Sequence, residues 1–438
     1  KQNLMTDQNS EHFLKNWHPN IWPPFTQIKT SNPQLEVSHA KDAIIYTKNS
    51  NQELIDGISS WWVTLHGHSN EYIAKEIAKQ AQELEQIIFA DFLHPQAKKL
   101  SERLSKITNL DRLFFSDNGS TAVEVALKMA YQWWQNKNDK RNQIIAFEGA
   151  YHGDTFGAMS VGERNIFNES FESLMFPVQR VQWPSTWIDD DQVHNKEAIA
   201  LKQLENLLQI PTAAVILEPL IQGAGGMNMV RPEFIKKVAN LVKQYDSLLI
   251  ADEVLTGFGR TGSLFAFQKA EIDPDLIAIS KGLTGGFLPM GVTLAKEEVF
   301  KKFISSSPLK TFWHGHSFTA NPLGCAAANA SLDLLENEPD KYLKFECRHL
   351  EQINKIKKLS HIEKIRICGT ISAFELKVEK NSGYFSDIGK KIKALSIEKG
   401  LFIRPLGNVI YLLPPLCITE KQLERSYDII YQILLDIN

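Results

Sequence analysis

The feature that most constrains the fold is an alternation of short apolar runs with helical patterns between about residues 99 and 300. Helical stretches such as TAVEVALKMAYQWW and PEFIKKVANLVKQY lie between the apolar runs RLFFSD, QIIAFEG, AAVILEP, SLLIADE and DLIAIS. Strands that alternate with helices of this length are typical of βαβ units and a parallel sheet. The runs are nearly all apolar, as expected when helices cover both sheet faces. The sequence therefore predicts an α/β fold with a mainly parallel sheet.

The pattern changes after about residue 330, where charged helical segments flank two strand-like pieces, ISAFELKV and NVIYLLPP. The first 60 residues contain too little periodic structure to fold alone. We therefore predict three parts. They are an N-terminal segment (1–60) that packs with the small domain, a large domain (61–329), and a small C-terminal α+β domain (330–438).

Composition excludes several classes of protein. The net charge of -3, from 48 basic and 51 acidic residues, leaves no basic surplus for nucleic acid. The apolar runs fall far short of the roughly 20 residues that span a bilayer, and the polar start KQNLMTDQNS lacks the apolar segment of a secretion signal. Four cysteines in 438 residues do not form a disulfide framework, and the H-x-H pairs lack zinc spacing. We expect a cytoplasmic protein without metal, membrane or nucleic-acid partners.

Charged side chains end two of the predicted strands. SLLIADE ends in Asp252 and Glu253, and DLIAIS is followed by Lys281 and Gly282. In an open α/β sheet, ligands bind at the carboxyl ends of the strands. We expect one of the two carboxylates to be an ordinary solvated loop acid. Lys281 is either a surface cation or a desolvated amine that attacks carbonyls.

Two further segments have the pattern of a ligand site. In SDNGSTAVEVALKMA, Asp117 or Asn118 can cap a helix, Thr121 and Glu124 have capping-box spacing, and the free N–H groups near Gly119 and Ser120 would suit a phosphate. A plain capped helix is the alternative. The loop FEGAYHGDTFGAMS places Tyr151, His152 and Asp154 after another strand, and a turn with a core tyrosine is the alternative there.

Taken together, these segments fit a binding site for pyridoxal 5'-phosphate (PLP) better than a site for any other chemistry. A phosphate site, a flat aromatic ring, a strand-end carboxylate and a strand-end lysine are the groups that this cofactor needs. A buried carboxylate keeps the ring nitrogen protonated, and the lysine amine reacts with the aldehyde.

The sequence resembles the class III, fold-type I aminotransferases over nearly its whole length. The shared motifs, in the family's order, are DGISSWW, YHGDTFGAMSVG, EPLIQGAGGM, LLIADEVLTGFGRTG, SKGLTGG and HGHSFTANPLGCAAANASL. Within that family the resemblance points to the members that convert 8-amino-7-oxononanoate to 7,8-diaminononanoate in biotin synthesis. It implies a PLP-dependent homodimer with a large cofactor domain.

The resemblance implies a role for each matching residue. Lys281 would bind the cofactor covalently, Asp252 would pair with its ring nitrogen, and Tyr151 would stack on the ring, which makes these three the catalytic group. The cofactor would also be held by Gly119, Ser120, Glu218 and Ser317 of the partner subunit. The substrate channel would be lined by Trp61, Trp62, Tyr151, Gly315, Arg404 and Tyr411.

These channel residues suit a long aliphatic chain with a terminal carboxylate. Aromatic walls bury methylenes at about 25 cal/mol per Å², and Arg404 can grip the carboxylate through two hydrogen bonds. Core packing is the alternative for Trp61 and Trp62. If they are adjacent strand residues they face opposite ways, so we expect only one to see substrate.

The amino donor is less constrained than the keto acceptor. Many members that use S-adenosylmethionine have a tyrosine where this chain has Phe25, and a proline and a threonine where it has His316 and Ser317. Phe25 and His316 resemble the lysine-using branch. S-adenosylmethionine is therefore our first choice, and lysine, or another class III ω-aminotransferase reaction, is the alternative.

Two rival classes can be weighed against this interpretation. The segment GFGRTG, from Gly257 to Gly262, matches the G-x-G-x-x-G pattern of an NAD-dependent dehydrogenase. Two acids precede it, where they would repel a pyrophosphate, so the match is weak. A non-catalytic PLP-binding regulator would be favoured by loss of the lysine, but Lys281 is present.

Overall fold

The computed structural model describes residues 13–48, 50–377 and 387–437. The strands are β1 (Val37–Lys41), β2 (Ile44–Thr47), β3 (Glu53–Asp56), β4 (Arg112–Ser116), β5 (Gln143–Phe147), β6 (Gln179–Val181), β7 (Thr212–Leu217), β8 (Ile221–Gln222), β9 (Asn228–Met229), β10 (Leu248–Asp252), β11 (Leu276–Ile279), β12 (Gly291–Ala295), β13 (Ile362–Cys368), β14 (Ile371–Leu376), β15 (Leu401–Phe402) and β16 (Val409–Leu412). The helices are α1 (Ser59–Trp62), α2 (Glu71–Glu83), α3 (Pro95–Thr108), α4 (Gly119–Asn136), α5 (Phe156–Val161), α6 (Val193–Leu208), α7 (Pro232–Gln244), α8 (Ala266–Lys269), α9 (Glu297–Lys301), α10 (Pro322–Asn337), α11 (Asp340–Leu343), α12 (Phe345–Lys357), α13 (Asp387–Glu398) and α14 (Glu420–Asp436).

A seven-stranded sheet forms the centre of the molecule. Its strand order is β4-β12-β11-β10-β7-β5-β6, and β12 alone runs antiparallel to its neighbours in this sheet. Strands β7, β10 and β11 are buried along their whole length, because helices such as α4 and α7 pack against the sheet. The prediction of an α/β fold with a mainly parallel sheet is confirmed.

Three smaller sheets lie outside the central one in the described part of the chain, and the smallest pairs only β8 with β9. Strands β13, β14 and β16 form an antiparallel sheet, and α12 and α14 accompany it in the C-terminal part of the chain. Strands β1, β2 and β3 form a second sheet that β15 completes, with Leu401 opposite Ile55. The N-terminal segment thus pairs directly with the C-terminal part. The proposed boundary between residues 329 and 330 lies within α10, so the three-part division stays a prediction.

The described helices are too short or too polar to span a membrane. Within residues 13–48, 50–377 and 387–437, none has the length and apolar character to cross a bilayer.

Candidate active site

Five parallel strands of the central sheet end at one edge, and each delivers a candidate residue there. Asp252 is the last residue of β10, and Glu218 directly follows β7. Lys281 follows β11, Tyr151 follows β5, and Gly119 follows β4. All five residues line one cavity of about 1040 Å³, at the upper end of the range for small-molecule sites.

The N-terminus of α4 forms one wall of this cavity. Asn118 caps the helix and forms a capping box with Thr121, so the expected pairing of Thr121 with Glu124 is wrong. Glu124 instead accepts a hydrogen bond from the backbone N–H of Ala158 at 2.9 Å. It is drawn there because α5 packs beside α4.

Gly119 lets this helix approach its neighbours closely. A Cβ at this position would lie 2.7 Å from Cγ1 of Val254. Ser120 also lines the cavity, and its hydroxyl accepts a hydrogen bond from the N–H of Asp154 at 3.2 Å. The first helical N–H groups and the Ser120 hydroxyl therefore lie at the cavity wall, an arrangement that suits an anion.

A buried ion pair lies at the end of β10. His152 Nδ1 lies 2.6 Å from Oδ2 of Asp252, and both side chains are buried. Oδ1 of Asp252 accepts from the N–H of Val254 at 3.0 Å. Burial by itself would lower the pKa of His152, but the hydrogen bond to Asp252 and the negative charges of Asp252 and Glu218 outweigh it and raise that pKa. The Asp252 carboxylate thus has a buried imidazole and a backbone N–H as its hydrogen-bond partners.

Sequence reasoning noted His152 but gave it no role. The motif YHGD indicated that His152 lies in a loop at the site. It could not show the partner of His152, because Asp252 lies 100 residues further along the chain. The other ring nitrogen, Nε2, is buried and has no hydrogen-bond partner among the residues that the structure describes.

The Lys281 amine is buried in the same cavity. Burial lowers its pKa from 10.5 to about 8, although the negative charges of Asp252 and Glu218 oppose the shift. Nζ lies 4.5 Å from the centroid of the Trp62 ring. A lysine in this setting has a much larger fraction of neutral amine close to physiological pH than an exposed lysine, as a nucleophile or a general base requires.

Glu218 orders the neighbouring loops. Its carboxylate accepts from the N–H of Tyr151 at 3.0 Å and from that of Gly223 at 3.1 Å. Burial, opposed by His152 and reinforced by Asp252, raises the pKa of Glu218 to about 7. The Tyr151 hydroxyl donates to Asp154 at 2.9 Å, and burial together with Asp154 raises the pKa of that phenol above its usual value.

The expectation of a solvated loop acid next to Asp252 is wrong. Glu253 is fully buried and accepts hydrogen bonds from the N–H groups of Ala266 and Phe267 at 3.0 and 2.9 Å. It thus binds the start of α8, and burial raises its pKa to about 7. The sequence pattern could not show this, since the two donors come from a segment that folds back on β10.

Aromatic residues form the wall opposite the strand ends. Trp61 and Trp62 lie in α1, a distorted turn whose backbone is not helical at Ser60 and Trp61. Their assignment to a strand is therefore wrong, and both line the cavity. Trp62 is buried and donates from Nε1 to the Tyr411 hydroxyl at 2.9 Å. Trp61 is 43% exposed, with the Arg404 guanidinium 5.3 Å from its ring centroid and Phe25 edge-on at 5.6 Å.

Two predicted site residues lie elsewhere. Gly315 and Ser317 are exposed and are not among the residues that line the cavity. The backbone carbonyl of Ser317 accepts a hydrogen bond from Nε2 of Gln86 at 2.7 Å. The predicted roles of both residues therefore stay predictions.

The GFGRTG segment does not line the cavity of the described chain. Arg260 is buried and donates from Nη1 to the carbonyl of Pro414 at 2.9 Å, and its own carbonyl accepts from the N–H of Thr370 at 2.9 Å. A Cβ at Gly262 would lie 3.3 Å from Gly369. The segment therefore joins the C-terminal part to the sheet, and the helix that follows, α8, has only four residues.

Known proteins resemble this chain along its length. The sequence model of the family described as "Aminotransferase class-III" matches residues 26–434. The adenosylmethionine-8-amino-7-oxononanoate aminotransferase of Synechococcus elongatus is 51% identical over 423 residues, which cover 96% of this chain and 99% of that protein.

Solved structures agree with this result. The crystal structure of adenosylmethionine-8-amino-7-oxononanoate aminotransferase from Methanocaldococcus jannaschii superposes with a TM-score of 0.87 at 32% identity, over 98% of this chain and 99% of that one. A PLP-bound amine transaminase from an uncultivated Pseudomonas species gives a TM-score of 0.89 at 26% identity, over 97% and 100% of the two chains. The chain therefore belongs to the class III aminotransferases and has their fold-type I architecture.

Proposed function

We propose that the protein transfers an amino group to 8-amino-7-oxononanoate and produces 7,8-diaminononanoate in biotin synthesis, with PLP as cofactor and S-adenosylmethionine as donor. One observation carries the proposal. A desolvated amine, Lys281, and a buried carboxylate–imidazole pair, Asp252 with His152, line the same aromatic cavity. The names of the relatives from Synechococcus elongatus and Methanocaldococcus jannaschii support the choice of substrate.

The residues of the cavity fit PLP. Gly119 and Ser120 would hold the phosphate at the start of α4, where N–H groups favour an anion. Asp252 would face the ring nitrogen, and Tyr151 would cover one ring face. Asp252 suits this task because His152 fixes its buried carboxylate through a 2.6 Å hydrogen bond, and a carboxylate anion stabilises a protonated ring nitrogen. When bound, PLP supplies a conjugated ring that takes up the electrons released from the amine carbon.

The side chains of the protein would handle the protons. The Lys281 Nζ, as a free amine, would remove a proton from the carbon that bears the amino group and return it to the carbon on the other side of that nitrogen, in a 1,3-proton shift. A pKa of about 8 allows the same nitrogen to accept and release a proton near neutral pH. Trp62 and Tyr411, both buried, would exclude water from this nitrogen.

Arg404 would select the acceptor. 8-Amino-7-oxononanoate ends in a carboxylate, and a guanidinium can bind that group through two parallel hydrogen bonds. Arg404 lines the cavity beside the Trp61 ring, so the apolar chain of the substrate would lie along the aromatic wall while its carboxylate reaches the cation.

Lysine is a second candidate donor, and Phe25 is the observation that favours it. This side chain lines the cavity and packs edge-on against Trp61. It therefore places a hydrocarbon ring where many S-adenosylmethionine-using relatives have a tyrosine hydroxyl.

A homodimer is part of the proposal. Ser317 is exposed and lies outside the cavity of its own chain, so it is available to the cofactor site of a second copy. The neighbouring Trp313 and Phe318 are 74% and 63% exposed, and large exposed apolar side chains are typical of subunit contacts. A location in the cytoplasm stays a prediction from the sequence.

The deciding experiment incubates the purified protein and PLP with 8-amino-7-oxononanoate and either S-adenosylmethionine or lysine. Formation of 7,8-diaminononanoate, measured by mass spectrometry, supports the proposal and identifies the donor. Lys281→Ala should abolish turnover while still binding PLP non-covalently. Lys296→Ala, at the other end of the β11–β12 pair, is the matched control and should remain active. Undiminished turnover in Lys281→Ala would contradict the mechanism.

A further inference from the structure

The backbone that carries the two tryptophans is held in an unfavourable conformation. Ser59, Ser60 and Trp62 have φ values of 53°, 61° and 66°, and Ser60 has a ψ of -103°. Side chains with a Cβ rarely adopt this region, and such conformations persist only where the surroundings hold them in place. Something outside this turn must therefore stabilise it.

Asp56 is the buried carboxylate that holds the turn, together with Leu413, whose carbonyl accepts a hydrogen bond from the Ser59 hydroxyl at 2.7 Å. Its side chain is completely buried at the end of β3. Oδ1 accepts from the N–H of Ile58 at 3.2 Å, and Oδ2 accepts from the N–H of Ser60 at 2.7 Å. Both carboxylate oxygens are thus used on N–H groups of the turn, and one of those groups belongs to the most distorted residue.

His68 holds Asp56 from the other side. Its Nε2 lies 2.7 Å from Oδ2 of Asp56. The backbone of His68 is fixed in turn by a pair of hydrogen bonds with Asp42, at 3.0 and 2.7 Å. The carboxylate therefore has two backbone donors and one imidazole around it, and it has little freedom to rotate.

The turn decides where the two indole rings lie. Through Trp61 it places a ring beside Phe25 and the Arg404 guanidinium. Through Trp62 it places a second ring 4.5 Å from Nζ of Lys281, and the indole N–H of that ring donates a hydrogen bond to the Tyr411 hydroxyl. Asp56 itself does not line the cavity, so any effect on substrate has to pass through this turn.

We propose that Asp56, held by His68, is a positioning residue that fixes the aromatic wall for the long-chain keto acceptor. The inference rests on the proposed function. Loss of the carboxylate should weaken binding of the acceptor more than it slows the chemistry. Trp62 lies beside Nζ of Lys281, but Lys281 and Asp252 are themselves held at the ends of other strands.

The test uses Asp56→Asn. An amide has one acceptor oxygen and one NH2 group, so one of the two N–H groups of the turn loses its acceptor. We expect the KM for 8-amino-7-oxononanoate to rise about tenfold, as for the loss of one buried hydrogen bond, and kcat to change by less than about threefold. The near-UV circular dichroism of the cofactor-free protein should change as well, because the indole rings move.

A second substitution separates positioning from general destabilisation. Ser60→Gly removes the Cβ that makes the Ser60 conformation unfavourable. We expect the double variant Asp56→Asn with Ser60→Gly to recover most of the lost acceptor affinity, while Ser60→Gly alone changes KM by less than about threefold. His68→Leu should also raise KM, because it removes the imidazole that holds Asp56. It replaces Asp56→Asn as the test variant if Asp56→Asn does not fold.

Asp275→Asn is the matched control. Its carboxylate also accepts a backbone N–H, from Leu249 at 2.8 Å, but it lies at the opposite end of the sheet and does not line the cavity. It should lower stability without moving KM. An unchanged KM and dichroism spectrum in Asp56→Asn, or failure of Ser60→Gly to rescue, would overturn the positioning role. Absence of transamination by the wild-type protein would instead overturn the proposed function.

Discussion

Replacement of Lys281 by methionine should stabilise the cofactor-free protein. Burial lowers the pKa of this lysine from 10.5 to about 8. A shift of one pKa unit corresponds to about 1.36 kcal/mol. Keeping the charged amine in the folded protein at pH 7 therefore costs about 3 kcal/mol. Methionine has a similar shape and no charge. Loss of the cation–π contact with Trp62 offsets on the order of 1 kcal/mol, so we expect a net gain of about 2 kcal/mol in the free energy of unfolding.

The gain should depend on pH in a defined direction. Because the folded pKa is below the unfolded pKa, the unfolded chain binds more protons between about pH 8 and 10.5. The wild-type protein should therefore become more stable as the pH rises through this window. The advantage of Lys281→Met is complete below pH 8 and should shrink towards pH 10.5.

Urea unfolding of the cofactor-free proteins at fixed protein concentration, at pH 7 and pH 10, measures this directly. Lys296→Met is the control with the opposite sign. Burial alone would lower the pKa of Lys296, but ion pairing with Asp275 and Asp273 outweighs burial and raises that pKa. Loss of the Lys296 amine should therefore destabilise the protein. A Lys281→Met variant that is less stable than wild type at pH 7, or a difference that does not change with pH, would refute the reasoning.

Two further predictions concern the cavity. Arg404→Ala should raise the KM for the keto acceptor about 10- to 100-fold, as for the loss of a charged hydrogen-bonded pair, with little change in the KM for the donor. Equal effects on both substrates in steady-state kinetics would place the carboxylate elsewhere. His152→Leu should lower the free energy of unfolding by about 3–5 kcal/mol, since it leaves Asp252 buried without its cation. The raised pKa of His152 means that the loss is largest below pH 6.5 and shrinks as the pH rises through the folded pKa, as urea unfolding at several pH values would show.

Local patterns were sufficient for the framework of the site. The apolar runs predicted β4, β5, β7, β10 and β11. Parallel strands bring their carboxyl ends to one edge of a sheet. The positions of Asp252 and Lys281 in the sequence therefore already implied that they share a cavity. The cap of α4 was partly predictable as well: Asn118 was identified, but its partner was not.

Packing between distant segments decided the rest. Nothing near Glu253 in the sequence shows that the N–H groups of α8 fold back onto it. The strained turn at Ser59–Trp62 has no periodic signature, and its hydrogen-bond partners, the Asp56 carboxylate and the Leu413 carbonyl, come from outside it.

The sequence by itself determined the strands that carry the site and the residues that end them, because hydrophobic period and strand-end chemistry are local properties of a chain, and its motifs indicated the aminotransferase family by resemblance. Only the tertiary structure decided the partners of those residues: His152 beside Asp252, Tyr411 on Trp62, and the distorted backbone beneath both indoles. These contacts join residues up to 349 positions apart. Their formation depends on the burial and geometry of the whole fold, which a local pattern of residue types does not contain.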